Sequence, residues 1–208
     1  MHIILHTYLL GLLLGFSYVV PIGVQNLFVM NTALTQPRKR VLITALIVIF
    51  FDISLGLACF FGIGLLLEAS PFLEKLVLAV GSIVVFRIGY DLIRHFRVSG
   101  AEAEATSLSI RGVMTRAFVV TWCNPQAIID GSMMLGAAGA SVAGDIRGFF
   151  IFGFASASII WFLSLSGVLS HFRKSLKPRY LSALNLICGI VLIGYAIWLF
   201  AHFVQLVF

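Results

Sequence analysis

Two carboxylates stand in parts of the chain that are otherwise almost entirely apolar. Asp52 lies within "IVIFFDISLGL" and Asp130 lies within "NPQAIIDGSMML". An ionised carboxylate is unfavourable in such surroundings, so it either binds a proton or meets a cation. The chemistry open to these two residues is therefore binding of a cationic solute, binding of a proton, or both in turn. The structural alternative is a protonated aspartate that bonds to a neighbouring helix.

Two proline-containing segments share a second pattern. "SYVVPIGVQN" spans residues 17–26 and "TWCNPQAIID" spans residues 121–130. Each segment places a proline and several polar groups inside an apolar stretch, which is typical of a broken membrane helix whose ends line a binding site. The binding-site candidates in these segments are Pro21, Gly23, Gln25, Asn26, Asn124 and Pro125.

The chemistry of proline predicts a break in both segments. Pro21 cannot donate a hydrogen bond to the carbonyl of Ser17, and Pro125 cannot donate one to the carbonyl of Thr121. The hydroxyls of Ser17 and Thr121 can partly replace the lost donors. Free N–H groups at the start of each following half-helix, at the positive end of its dipole, would suit a carboxylate. The alternative is a pair of ordinary proline kinks with no binding function.

The composition of the whole chain predicts a membrane protein. Of its 208 residues, 61% are hydrophobic and 11% are charged, and the mean hydropathy is +1.09. A soluble domain has about half apolar and a quarter charged residues. Six stretches are each long enough for the ~20 residues that cross a bilayer as a helix. They cover residues 4–30, 41–67, 72–94, 113–138, 147–170 and 180–206. The fold class expected is all-α, a polytopic membrane protein with six transmembrane helices.

An internal repeat relates the two halves of the chain. Four pairs match at a shift of 104 residues: Ser17 with Thr121, Tyr18 with Trp122, Pro21 with Pro125, and Asn26 with Asp130. Near the end of each half, Gly89–Tyr90 matches Gly194–Tyr195 at a shift of 105. Because each half holds three spans, the second half must cross in the opposite sense. Inverted repeats of this kind are common in secondary transporters.

The expected organisation is therefore a single transmembrane transporter domain over residues 1–208. Repeat 1 covers about residues 1–96, repeat 2 covers about residues 111–208, and a cytoplasmic loop covers about residues 95–111. The first and fourth helices are broken at their prolines. In the fifth span, Trp161 is a further candidate for lining the transport path.

The placement of basic residues predicts the orientation. The joints after the first, third and fifth spans carry ten of the fourteen lysines and arginines: Arg38, Lys39, Arg40, Arg94, Arg97, Arg111, Arg173, Lys174, Lys177 and Arg179. Basic joints remain cytoplasmic, so both termini are expected outside. The net charge of +6 is thus a topology signal, and a nucleic-acid partner is not expected.

Several classes of protein lack their signatures here. The sequence has no G-x-S-G turn of an intramembrane protease, no lysine in the last span for retinal, and no second N-P-A-like turn of an aquaporin. Cys59, Cys123 and Cys188 lie in apolar stretches without metal-ligand spacing, which favours packing roles. No enzyme activity, cofactor or metal is expected, and a transporter remains.

Two other features concern helix packing. Gly11-x-x-x-Gly15 and the run Ala155–Ser158 are small faces for close helix contact, within one chain or between two chains of a homodimer. Arg87 and Asp91 are one helical turn apart near the end of the third span. We interpret them as an i, i+4 pair in which the arginine extends toward the membrane surface.

Four motifs carry a resemblance to a known family. They are "PIGVQNLFVMN", "FFDISL", "TWCNPQAIID" and "SASIIWF". In this order and spacing they resemble the lysine/arginine exporter (LysE) family, especially its arginine-exporter branch. The resemblance implies gradient-driven efflux of basic amino acids across the bacterial plasma membrane. It also implies functional roles for Asp52, Asp130, the Asn124–Pro125 pair and the Gln25–Asn26 pair.

Three departures from the pattern of that family concern the substrate. Val24 stands where the basic-amino-acid exporters usually have a second proline, and Ile128 stands where they tend to have an aromatic residue. Arg87 and Asp91 are charged where the family is uncharged. Export of a neutral amino acid or another small cation therefore remains an alternative, and a channel is a more distant one.

The mechanism expected combines both lines of inference. The carboxylate of an amino acid would bind N–H groups near Pro21 and Pro125, assisted by the side chains of Gln25 and Asn26. The cationic end would meet Asp52 or Asp130. A proton, the expected coupling ion, would compete for the same carboxylates and produce antiport.

Overall fold

The chain is entirely helical over the residues that the structure describes. The computed structural model describes residues 2–62, 70–94, 109–173 and 178–207. Its helices are α1 (His2–Val19), α2 (Val24–Thr35), α3 (Arg38–Phe60), α4 (Pro71–Arg94), α5 (Ile110–Trp122), α6 (Pro125–Gly131), α7 (Ala137–Ser141), α8 (Arg147–Phe172) and α9 (Pro178–Val207). Most of the predicted cytoplasmic loop, residues 95–108, lies outside the described residues.

Four of these helices are long and apolar enough to cross a membrane, among the residues described. They cover His2–Val19, Arg38–Phe60, Arg147–Phe172 and Gly189–Val207. Large apolar side chains are exposed on the outside of the molecule, as on a surface that contacts lipid, for example Phe50, Phe152 and Trp198. The all-helical, multi-pass character expected from the composition is therefore present.

The first helix break lies at residues 20–23, around Pro21, between α1 and α2. The side-chain amide of Asn26 bridges this break: its Nδ2 donates hydrogen bonds to the carbonyl of Val19 at 2.9 Å and to that of Pro21 at 2.7 Å. The hydroxyl of Ser17 instead donates to a carbonyl one turn earlier in α1. The hydroxyl of Ser17 therefore does not compensate at the break, where Asn26 instead pairs with the carbonyls of Val19 and Pro21.

The second break lies at residues 123–124, between α5 and α6. Asn124 caps α6 in an extended conformation, and Pro125 occupies the first helical position, where a missing N–H costs nothing. A π-helical turn, Ser132–Gly136, joins α6 to α7. The hydroxyl of Thr121 is buried and makes no hydrogen bond to any described residue. It therefore does not replace the lost donor as the sequence had led us to expect.

Small residues bring α1 and α8 into close contact. Gly11 and Gly15 of α1 face Gly153 and Ala157 of α8. A Cβ atom on Gly11 would collide with the backbone of Phe150, so the helices can approach this closely only without a side chain there. The small faces noted in the sequence are used within one chain.

Helix α3 lies at the centre of the structure and packs against α2, α5, α6 and α8. Its buried face includes Val48, Leu55 and Cys59, which are 0% exposed. Asp52 belongs to the same face, so this carboxylate lies in the interior of the helix bundle. The outer pair, α4 and α9, packs together along its length.

Asp91 forms an ion pair with a residue from another helix. Its Oδ2 atom lies 3.0 Å from Nη2 of Arg116 in α5. The sequence pattern had pointed to Arg87, one turn away in α4, as its partner. The ion pair links α4 to α5.

Candidate functional site

A cavity of about 150 Å³ lies where the two helix breaks approach α3. It is smaller than the pockets of drug-sized ligands, which are about 300–1,000 Å³, and it suits a small polar solute. Its walls are formed by Tyr18, Val19, Pro21, Ile22, Gly23, Gln25, Asn26, Asp52, Asn124, Gln126, Ala127, Asp130 and Phe162.

Asp52 contributes the more deeply buried of the two carboxylates on this wall. It is 1% exposed. Its Oδ1 accepts a hydrogen bond from Nε2 of Gln25 at 3.0 Å, and its Oδ2 accepts one from Oγ of Ser158 at 2.7 Å. Both donors are neutral, and none of the described cationic side chains forms an ion pair with Asp52. Gln25 belongs to the first half of the chain and Ser158 to the second, so this carboxylate joins the two halves.

Asp130 is only half-buried and is held differently. Nε2 of Gln126, one turn earlier in α6, donates to its Oδ1 at 2.7 Å. Within the described parts of the chain, its other oxygen has no hydrogen-bond donor. Asp130 therefore presents a carboxylate oxygen to the cavity, where a cationic group could bind it.

Both polar atoms of the Asn26 side chain form hydrogen bonds within the protein. Besides the two bonds that Nδ2 donates across the first break, its Oδ1 accepts a hydrogen bond from Nε1 of Trp161 at 2.9 Å. Trp161 is not part of the cavity wall, and it reaches the site through Asn26. The two residues hold the broken backbone in place.

Among the described residues, only the side-chain oxygen of Asn124 has a hydrogen-bond partner. The hydroxyl of Tyr195, in α9, donates to Oδ1 of Asn124 at 2.8 Å. The neighbouring Pro125 starts α6 and does not line the cavity. Asn124 is thus the part of the Asn-Pro pair that faces a solute.

Gly23 leaves the start of α2 open to the cavity. It caps α2 without a side-chain hydrogen bond, and an added Cβ would meet nothing within 4 Å. The first N–H groups of a helix have no acceptor within the helix and carry its positive dipole end. This part of the wall can therefore accept a negative group.

Seven of the nine candidate residues line one cavity: Asp52, Asp130, Asn124, Pro21, Gly23, Gln25 and Asn26. Pro125 and Trp161 lie directly behind the wall. Four polar residues at the site were missed, namely Tyr18, Gln126, Ser158 and Tyr195. Their signals were available, because Ser158 lies in the "SASIIWF" motif and Tyr195 is a member of the repeated Gly-Tyr pair.

Comparison with known proteins assigns the family. The family model for LysE type translocators matches residues 16–202, which include the cavity and every residue that lines it. The chain belongs to the LysE family. This LysE-family chain is 32% identical over 199 residues to the arginine exporter protein ArgO of Pectobacterium carotovorum subsp. carotovorum (strain PC1), with 94% of the chain and 97% of that relative covered. It is 31% identical over 199 residues to the ArgO protein of Serratia proteamaculans (strain 568), with 94% and 96% covered.

Family membership confirms the resemblance inferred from the four motifs. No solved structure shows a significant match to this LysE-family chain. LysE proteins are translocators and not enzymes. With its long apolar helices, the chain is a multi-pass protein of the bacterial inner membrane.

Proposed function

We propose that this protein exports a basic amino acid, arginine or lysine, from the bacterial cytoplasm. The observation that carries the proposal is the cavity at the two helix breaks, which is lined both by Asp130, whose second oxygen binds no described donor, and by the open start of α2. The relatives named arginine exporters cover 94% of the chain, which supports the same substrate class.

The two ends of an amino acid match different parts of this wall. The guanidinium or ammonium group of the side chain binds Asp130. The α-carboxylate binds the first N–H groups of α2 beside Gly23 and the side-chain amide of Asn124. Gln25 contributes through Asp52, which it orients, and Asn26 contributes by holding the broken backbone. Pro21 and Pro125 act by creating the two half-helix starts.

Coupling to protons follows from Asp52. A carboxylate in the protein interior with two neutral hydrogen-bond donors and no cation beside it is suited to bind a proton. Because a proton on either aspartate weakens its attraction for a cation, proton and substrate compete. Competition of this kind produces antiport, in which protons enter as the amino acid leaves.

Alternating access is proposed to arise from two inverted three-helix repeats. Each repeat starts with a helix that packs on the other half, since α1 packs against α8 and α5 packs against α3. In both repeats the break falls at the matching proline segment. The proposed arrangement has six spans and keeps the basic joints on the cytoplasmic side, so that both termini would lie outside.

Transport into everted inner-membrane vesicles tests this function. Respiring vesicles accumulate protons, so an exporter coupled to protons should accumulate radiolabelled arginine and lysine inside them, and a protonophore should abolish the accumulation. A panel of neutral amino acids should show no such accumulation. Uptake of neutral amino acids alone would contradict the substrate, and accumulation that survives the protonophore would contradict proton coupling. A channel would equilibrate the solute without concentrating it.

A further inference from the structure

The asparagines at the two helix breaks differ in what they can offer a solute. At the first break, Asn26 uses Nδ2 for two backbone carbonyls and Oδ1 for Trp161. At the second break, Asn124 uses Oδ1 for the hydroxyl of Tyr195. Its Nδ2 group has no acceptor among the residues that the structure describes. The Nδ2 group of Asn124 can therefore donate a hydrogen bond to a solute, whereas that of Asn26 is already used.

The donor of Asn124 is placed where a ligand could accept it. Asn124 is 7% exposed and lies on the cavity wall. The Nδ2 atom is not among the buried unpaired polar atoms of the described residues, so it is open to the cavity. A solute with an acceptor oxygen can therefore accept a hydrogen bond from it. The α-carboxylate of an amino acid is such an acceptor.

We propose that Tyr195 is a positioning residue for recognition of the substrate carboxylate, because its hydroxyl holds Oδ1 of Asn124 and so directs Nδ2 into the cavity. This inference rests on the proposed function and extends it to the choice between an amino acid and the corresponding amine. Tyr195 does not line the cavity and acts through Asn124.

The orientation of the amide decides the sign of its interaction with a carboxylate. The oxygen and nitrogen ends of an asparagine amide are nearly equal in size, so either can face the cavity unless a partner selects one. A hydroxyl that donates to Oδ1 keeps the oxygen away from the solute. If the amide turned round, Oδ1 would face the carboxylate and repel it. With its hydroxyl donating to Oδ1, Tyr195 holds Asn124 in the orientation that attracts that group.

The ring of Tyr195 is held independently of its hydroxyl. It stacks on Trp198 with ring centroids 5.8 Å apart and an interplanar angle of 21°, and Trp198 stacks on His202 at 5.8 Å. A phenylalanine can keep this stack and remove the hydroxyl alone. Tyr195→Phe is therefore a specific test.

The experiment compares arginine with agmatine, its decarboxylated analogue, in everted vesicles that contain the whole protein. In Tyr195→Phe, the apparent KM for arginine should rise about 3- to 10-fold, the effect of one weakened hydrogen bond. The inhibition constant of agmatine against labelled arginine should stay within about twofold of the parent value. The maximal rate and the protein level should be close to those of the parent.

Two further variants complete the comparison. Trp161→Phe removes the hydrogen bond donated to Asn26. Because the amide of Asn26 binds backbone carbonyls and not the solute, this variant should weaken the binding of arginine and of agmatine to a similar extent. Asn124→Asp keeps the acceptor for Tyr195 and adds a negative charge, so it should weaken arginine strongly and leave agmatine unchanged or bound more tightly.

The outcomes separate this inference from the proposed function. Equal weakening of arginine and agmatine in Tyr195→Phe would show that the hydroxyl only supports the fold and would overturn the inference. No change for either solute would overturn it too. Failure of the parent vesicles to take up arginine would instead refute the proposed function, and it would be seen before any variant is compared.

Discussion

At the scale of single residues, the two carboxylates of the cavity are held in different ways. Asp52 is closed in by donors from both halves of the chain, and Asp130 has one donor from its own helix. Similar sequence surroundings thus produced two chemically distinct acids. Their functions are expected to differ accordingly, with the proton on Asp52 and the cation at Asp130.

Replacement of either acid by asparagine should separate folding from transport. Asp52→Asn and Asp130→Asn keep volume and hydrogen bonding and remove the titratable charge. Each variant should remain in the membrane at the parent level and lose arginine transport by roughly 10-fold or more, since bonds to charged groups contribute about 1.5–3 kcal/mol. Vesicle uptake normalised to protein level measures this. Asp145→Asn, in the exposed loop before α8, is the control and should transport normally. Parent-level transport by Asp130→Asn would remove that residue from the cation site.

Sequence patterns predicted the acids and prolines because such residues are conspicuous in apolar surroundings. An ionisable residue such as Asp52 is rare at membrane depth, and Pro21 cannot continue a helix. Ser158 and Tyr195 were not predicted, since serine and tyrosine are ordinary in membrane helices. Their roles depend on contacts with residues 106 and 71 positions away, which only the packing of the helices brings about.

At the scale of helices, α1 and α8 are in close contact at small residues. Gly153 lies against the backbone of Tyr8, and Gly167, further along the same helix, faces open space. The two glycines therefore form a matched pair with opposite expected behaviour on substitution.

Gly153→Ala should destabilise the protein and Gly167→Ala should not. The added methyl group of the first would collide with backbone, and overpacking of this kind costs about 1–3 kcal/mol. The second places alanine on an exposed helix face, where it is the better helix former by up to about 1 kcal/mol. Thermal unfolding in detergent should show a lower Tm for Gly153→Ala alone. Equal Tm values for the two variants would mean that α1 and α8 are not in such close contact.

Restoring a continuous first helix should impair binding more than folding. Pro21→Ala returns a backbone N–H that can pair with the carbonyl of Ser17, and it competes with the bridge made by Asn26. The apparent KM for arginine should rise by about 3-fold or more, as for loss of one or two hydrogen bonds, with protein level unchanged. Pro125→Ala should do less, because Pro125 occupies a first helical position where alanine is also accepted. A parent-level KM for Pro21→Ala would show that Pro21 only kinks the helix and has no role in binding.

At the scale of the whole molecule, the distribution of basic residues predicts how the protein lies in the membrane. Lys39, in the first turn of α3, and Gly144, in the loop before α8, are both exposed and lie on opposite predicted sides of the membrane. Exposure of both positions makes them comparable targets for a reagent that cannot cross the membrane.

Cysteine labelling in intact cells tests this orientation. In a background where the three native cysteines are replaced, Gly144→Cys should react with an impermeant thiol reagent. Lys39→Cys should react only after the cells are permeabilised, because basic loops are retained in the cytoplasm. The reverse pattern would overturn the prediction that both termini lie outside.

The π-helical turn Ser132–Gly136 has a consequence for the balance between the two halves. A π turn holds one residue more than an α-helical turn, which agrees with the change of shift between the halves from 104 before it to 105 after it. Two identical repeats would make the inward-open and outward-open states of an empty carrier equal in energy. One additional residue in one repeat removes that equality. The proposed carrier should therefore rest on a preferred side of the membrane, and substrate and protons must supply the free energy that moves it to the other.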